Sequence, residues 1–334
     1  MSQELIRQLD EVSREVNQAI DSMFSDFLQP KNLYDASKHL IDAGGKRLRP
    51  FLVLKSCELV GGRREEALPV ASAIEFIHNF TLIHDDIMDR DEKRRGVPTV
   101  HSLWGIPIAL VAGDMLFAKA YGVIINSASA QKTSQKRILK VLDVITKATI
   151  SVCEGQALDM IFEGRKDVSE REYLDMIGRK TAALIEASTK SGSIIGGGKS
   201  LQVERLGNLG RYAGLAFQIV DDVLGLTADE KVLGKPVGND LREGKRTIIL
   251  IHALAKADGN HRKQILSVIG NREVSQDKVK EVMKLIQSLG SVDYAVKKAD
   301  DYVEKAKNQL SSFPSSPAKE ILLSLCDYIT SRKY

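Results

Sequence analysis

Apolar positions recur every three to four residues along almost the whole chain, as expected for helices that each bury one stripe. The pattern predicts helices over 5–28, 33–43, 50–60, 65–89, 107–126, 134–162, 172–178, 180–195 and 201–224. It resumes over 246–256, 260–269, 275–289, 292–311 and 317–331. The punctuation agrees. Gly44-Gly45 stops one helix, Pro50 fits the first turn of the next, and Gly164 and Gly196-Gly197-Gly198 end others. Ser169-Glu170-Arg171-Glu172 reads as a cap with acid in the first turn. A stretch around Gly96 and Pro98 reads as loop, as does the polar, glycine-bearing segment 227–245. Thr247 to Ile251 has strand propensity, but its neighbours are all helical, so helix is preferred there. The expected fold class is all-α.

Composition narrows the picture. With 334 residues the chain can bury a large core. No Pro/Gly/Ser-rich linker, low-complexity block or repeat divides it, so one domain over 1–334 is expected. The net charge of +4 is spread over interspersed acids and bases, without an aromatic-plus-basic platform, which speaks against nucleic-acid binding. No uninterrupted apolar run reaches about 18 residues, so no membrane span is expected. The first 19 residues are amphipathic with mixed charge, unlike a signal peptide. Cys57, Cys153 and Cys326 are an odd set in apolar helical surroundings, which suggests buried thiols in a reducing, cytoplasmic setting.

Two acidic clusters carry the chemistry. The first is His84-Asp85-Asp86-Ile87-Met88-Asp89, followed by Arg94 and Arg95. Asp85 and Asp89 share a helix face at about 100° per residue. Converging carboxylates need a cation, and oxygen ligands without clustered Cys or His suit Mg²⁺ shared with substrate phosphates. Two arginines beyond them suit a diphosphate. Taken alone, this cluster is equally a capped helix end with solvated charges. The second cluster, Gln218 to Gly225, closes another apolar helix, with Gln218, Asp221, Asp222 and Gly225 on one face. Two helices that each end in paired aspartates can hold several metal ions between them and clamp a diphosphate leaving group.

This pair of motifs resembles the trans-isoprenyl diphosphate synthase (polyprenyl synthetase) family, and the resemblance spans roughly residues 5 to 330. Further matches are Gly44-Gly45-Lys46-Arg47-Leu48-Arg49-Pro50, Lys180-Thr181, Gly234-Lys235-Pro236 and Asp240 to Thr247. The resemblance implies a single-domain helical bundle around a central cavity, a homodimer, and the use of three Mg²⁺ ions. It implies condensation of isopentenyl diphosphate with allylic diphosphates. Lys46, Arg49, His78 and Arg95 match positions that hold isopentenyl diphosphate. Alone, Lys46 and Arg49 could be a basic helix start and His78 a core residue. Arg94, Lys180, Lys235 and Lys245 match contacts to the allylic diphosphate. Asp85, Asp89 and Asp221 match metal ligands, with Asp86, Asp222 and Asp240 behind them. Thr181 and Gln218 match groups near the reacting carbons, although a Gln at a helix end is also an ordinary cap. Gly225 departs from the motif where many relatives have a third aspartate, and Asp240 is expected to hold metal-bound water instead. Arg332-Lys333-Tyr334 is read as a solvated tail.

Product length is read from residues below the first motif. Thr81, one turn before Asp85, leaves space where an aromatic would stop growth. Phe80 resembles the bulky floor residue of archaeal-type geranylgeranyl diphosphate synthases, although the helical wheel puts it about 140° from Asp85. Ile77, Val111, Ala112 and Met115 are wall candidates or plain core. A twenty-carbon product is favoured, with farnesyl or geranylfarnesyl diphosphate as alternatives. A terpene cyclase is disfavoured by Lys46, Arg49, Arg95 and the Asp221-Asp222 pair. A non-catalytic regulatory subunit is disfavoured by the intact aspartates of the first motif.

Overall fold

The computed structural model describes residues 2–24, 29–130, 133–227 and 237–331. The expected extension of the first helix to Leu28, the segment with Gly234, Lys235 and Pro236, and the C-terminal Arg332-Lys333-Tyr334 lie outside the described residues. The all-α expectation holds. Helices α1 (Gln3–Ser22), α2 (Lys31–Asp42), α3 (Leu48–Leu59) and α4 (Arg64–Asp89) are followed by a short hairpin, β1 (Lys93–Arg94) and β2 (Val97–Pro98). Then come α5 (Val100–Ala130), α6 (Gln135–Glu163), α7 (Glu170–Ile177), α8 (Ala183–Ile195) and α9 (Ser200–Thr227). The chain continues through α10 (Asn239–Glu243), α11 (Ile248–Lys256), α12 (Gly259–Leu266), α13 (Gln276–Ser288), α14 (Ser291–Gln309) and α15 (Pro317–Ser331).

Local chemistry explains the boundaries. Ser169 accepts from the Glu172 N–H while the Glu172 carboxylate accepts from the Ser169 N–H, the reciprocal cap read in the sequence. Thr247 accepts from the Leu250 N–H, and this N-cap turns the β-branched run after it into α11 rather than a strand. Two features were not foreseen. The Gly96 loop is a two-residue hairpin whose central residues, Arg95 and Gly96, have φ of +54° and +78°, as a primed turn requires. Between α7 and α8 the chain widens into a π turn, Gly178–Ala182, which carries Lys180 and Thr181.

The residues group into two compact units. Unit 1 comprises Met1–Thr149, Ala187–Gly207 and Phe313–Ser324. Its core is α4, whose residues Val70 to Ile77 are buried without a break, packed on α3 and α5. Helix α5 kinks at Gly105 (φ +79°, ψ +159°), so its main run starts beside Pro107 as expected. It buries Ala109, Ala112, Leu116, Ala120 and Ile124 at helical spacing. The opposite side exposes Leu103, Ile106, Leu110, Val111, Phe117 and Ile125. On length and composition alone, Val100–Ser127 is long and apolar enough to cross a membrane, while Asp114 and Lys119 divide it into shorter uninterrupted apolar runs. Unit 2 comprises Ile150–Glu186, Asn208–Ser312 and Leu325–Tyr334, with α11 packed on α7, α13 and α14. The cysteines are unbridged. Cys57 and Cys326 are buried as expected, whereas Cys153 is exposed because it lies on the outer side of α6.

Candidate functional site

In unit 1 the first motif occupies the last turn of α4. The helix stops when Arg90 turns left-handed (φ +59°) and donates its N–H to the Asp86 carbonyl. Asp85 and Asp89, one turn apart, present carboxylates on one face. Asp86 points inward at 1% exposure, and Arg94 Nε donates to its Oδ1 at 2.5 Å. Asp86 Oδ2 is buried without a hydrogen-bond partner. Burial pushes the Asp86 carboxyl up to about 6 even though Arg94 opposes the shift. Arg94 Nη2 also donates to Asp85 Oδ2 at 3.4 Å.

The hairpin turn sends Arg95 back to the end of α2 and the loop after it, where its Nη1 donates to the carbonyls of Leu40, at 2.7 Å, and Gly44. Lys46 is exposed on that loop. Arg49 Nη1 lies 3.3 Å from His78 Nε2. The surrounding protein, and next the Arg49 charge, hold His78 well below its usual value, so the ring is neutral and accepts from Arg49. Unit 1 thus gathers Asp85, Asp86 and Arg94 at one point and Arg49 with His78 at another. The Phe80 ring meets His84 edge-on at 4.8 Å and Phe117 at 5.4 Å, and Phe117 meets Tyr121 at 5.0 Å. Thr81 donates to the His78 carbonyl. Ile77 and Ala112 are fully buried, whereas Val111 is 50% exposed.

Unit 2 holds a chain of side-chain bonds. Thr181 Oγ1 donates to Gln218 Oε1 at 2.7 Å, and Gln218 Nε2 donates to Asp222 Oδ1 at 3.0 Å. Tyr173 OH donates to Asp222 Oδ2 at 2.6 Å. Burial, with Asp240 and Asp221 adding repulsion, pushes Asp222 up to about 8 against the hydrogen bonds from Tyr173 and Gln218. Lys180 and Lys245 share one carboxylate. Their Nζ atoms lie 2.7 Å and 3.2 Å from Asp159 Oδ2, and Lys245 also reaches Glu163 at 2.9 Å. Burial raises Asp159, yet the two ammonium groups outweigh it and hold this carboxyl below the usual range.

A Cβ on Gly155 would stand 2.2 Å from the Lys180 backbone N, so α6 rests directly against the π turn. A Cβ on Gly225 would stand 2.8 Å from Asp240 Oδ2, so the Asp240 carboxylate fills the space beside the motif's missing third aspartate. Tyr173 and Asp159 escaped the sequence reading.

Among the described residues, no three His, Cys, Asp or Glu side chains gather to hold a metal by themselves. The paired, all-oxygen donors fit a hard cation whose shell is completed by phosphate oxygens, the habit of Mg²⁺. A separate cleft of about 480 Å³ in unit 2, beside Phe162, Arg165 and Arg179, contains none of the expected site residues. Its Arg165 and Arg179 already pair with Glu172 and Asp175.

Solved and curated proteins resemble the chain along nearly its full length. It is 44% identical to a short chain isoprenyl diphosphate synthase of Methanothermobacter thermautotrophicus, over 98% of each chain. It is 45% identical to a geranylfarnesyl diphosphate synthase of Aeropyrum pernix, over 94% of this chain and 99% of that one. A geranylgeranyl pyrophosphate synthetase structure from Pyrococcus horikoshii superposes with a TM-score of 0.92 at 44% identity, covering 99% of both chains. Residues 30–286 match the polyprenyl synthetase family profile, and with these relatives the match establishes that the chain belongs to the polyprenyl synthetase family.

Proposed function

We propose that the chain is a Mg²⁺-dependent prenyltransferase that condenses isopentenyl diphosphate head-to-tail with allylic diphosphates to give geranylgeranyl diphosphate. The observation that carries this reading is the unit 2 cluster, where two lysines share buried Asp159 and Thr181 leads through Gln218 to Asp222. Lys46, Arg49, His78 and Arg95 bind isopentenyl diphosphate. Arg94, Lys180, Lys235 and Lys245 bind the allylic diphosphate, giving its polyvalent charge fixed partners. Asp85, Asp89 and Asp221 would hold three Mg²⁺ ions, which supply neutralisation of the departing diphosphate. Asp86, Asp222 and Asp240 orient those ligands from behind.

The Thr181 hydroxyl donates a hydrogen bond to Gln218 Oε1, which leaves its oxygen lone pairs to face the positive charge that develops on the allylic carbons. The isopentenyl double bond then attacks that carbon, and loss of a proton completes a five-carbon extension. The Phe80–Phe117–Tyr121 stack supports a floor that stops growth at twenty carbons, with Thr81 leaving space above it. The exposed apolar side of α5 supports a homodimer. Unbridged cysteines support a cytoplasmic setting. We take the two units as parts of one synthase domain.

The test is incubation of purified protein with Mg²⁺, isopentenyl diphosphate and dimethylallyl, geranyl or farnesyl diphosphate, followed by chromatography of the products. A twenty-carbon product is expected. A fifteen- or twenty-five-carbon product would revise the length, and no extension from any primer would reject the reading.

A further inference from the structure

In the basic loop before α3, one residue faces the wrong way for a substrate contact. Arg47 sits between exposed Lys46 and half-buried Arg49, yet its side chain is 0% exposed and its backbone is left-handed (φ +45°). An L side chain adopts that conformation at a cost, so the surroundings must hold it there. They do so through the whole guanidinium. Nε donates to Asn17 Oδ1 at 2.9 Å, and Nη2 to the Ile41 carbonyl at 2.5 Å. Nη1 donates to the Gly44 carbonyl and to Glu75 Oε1, both at 3.0 Å.

Glu75 is itself buried at 1% exposure in the middle of α4, where Asn79 Nδ2 also donates to its Oε1. A carboxylate costs too much in such a core unless a partner neutralises it. Arg47 thereby ties three elements to the loop: α1 through Asn17, the end of α2 through Ile41, and α4 through Glu75. Arg95 grips the same turn from the hairpin, through the carbonyls of Leu40 and Gly44. A lysine could not do this, because it lacks the planar fork of donors.

We propose that the buried Arg47–Glu75 pair is the positioning device of the isopentenyl diphosphate site, fixing the loop that carries Lys46, leads into Arg49 at the start of α3 and is gripped by Arg95 from the hairpin, while touching no substrate itself. This rests on the synthase reading above. The pair therefore controls affinity for one of the two substrates and leaves the allylic site alone.

The test uses the Arg47→Met/Glu75→Met double variant. Replacing both charges with apolar side chains of similar size avoids stranding one buried charge, and circular dichroism checks that the variant folds. Arg47→Lys is the second variant, keeping the charge and losing the fork. In both, KM for isopentenyl diphosphate should rise at least about tenfold, the effect of losing roughly 1.4 kcal/mol. KM for farnesyl diphosphate, and kcat at saturation, should stay within about twofold. Amide hydrogen exchange at residues 44–49 should speed up at least about tenfold, with the rest of α4 protected as in the parent. If both variants fold and exchange at 44–49 and KM for isopentenyl diphosphate stay at parental values, the pair is structural only and the proposal falls. A parent protein without turnover would refute the synthase reading instead. Exchange in the two variants, which needs no turnover, would still decide whether the pair fixes the loop.

Discussion

Asp85 and Phe80 lie five residues apart on α4 and test different properties of the chain. Asp85→Ala removes a half-buried carboxylate, its side chain 20% exposed, from the last turn, away from the packed run Val70 to Ile77. Turnover should fall by on the order of 10²–10³, the size seen when one charge-stabilising group is lost. Circular dichroism should remain parental, and near-parental turnover would remove Asp85 from the metal site. Phe80→Ala leaves His84 and Phe117 without their shared ring. Its product should shift beyond twenty carbons, and an unchanged chromatogram would mean that Phe80 sets no floor. The spacing of Asp85 and Asp89 is short-range helical arithmetic, whereas Phe80 was singled out by family resemblance against its place on the wheel. Gln218 was legible by the same arithmetic: it lies one turn from Asp222, and the two are bonded. Tyr173 and Asp159 were not legible, because their partners lie 49 and 21 residues away and meet them only through tertiary packing.

At the scale of elements, the helices were legible because period, caps and breakers agree in each one. The exceptions carry chemistry. The π turn at Gly178–Ala182 reads as ordinary helix in any periodicity count, since one extra residue in a turn leaves no mark on composition. The hairpin was hidden because two-residue strands are too short to alternate. The meeting of α6 with the π turn gives a third prediction. Gly155→Ala places a methyl group 2.2 Å from the Lys180 backbone, so one of the two elements must move. Lys180 then leaves its position on Asp159. KM for the allylic substrate should rise several-fold while KM for isopentenyl diphosphate holds, as steady-state kinetics with each substrate varied would show. Equal rises in both would point to general misfolding instead.

At the scale of the molecule, fold class and family could be read from the sequence, whereas the outer side of α5 could not. That helix has apolar residues around most of its circumference, so the pattern alone did not separate a core helix from one with an uncovered side. Leu110 and Val111 are 41% and 50% exposed, a cost the chain would avoid if nothing covered them. A Leu110→Glu/Val111→Glu variant should elute from size-exclusion chromatography at half the mass of the parent. If the parent itself elutes at 37 kDa, near the 36.8 kDa of one chain, the homodimer is wrong.

A side chain grown on Gly225 would meet an Asp240 carboxylate oxygen at 2.8 Å, the movable end of a side chain rather than backbone. An acid added at 225 therefore has only to turn the Asp240 carboxylate aside, while the loop keeps its path. The two positions are thus free to vary almost independently over evolutionary time. A Gly225→Asp variant whose melting temperature drops by many degrees would show the opposite.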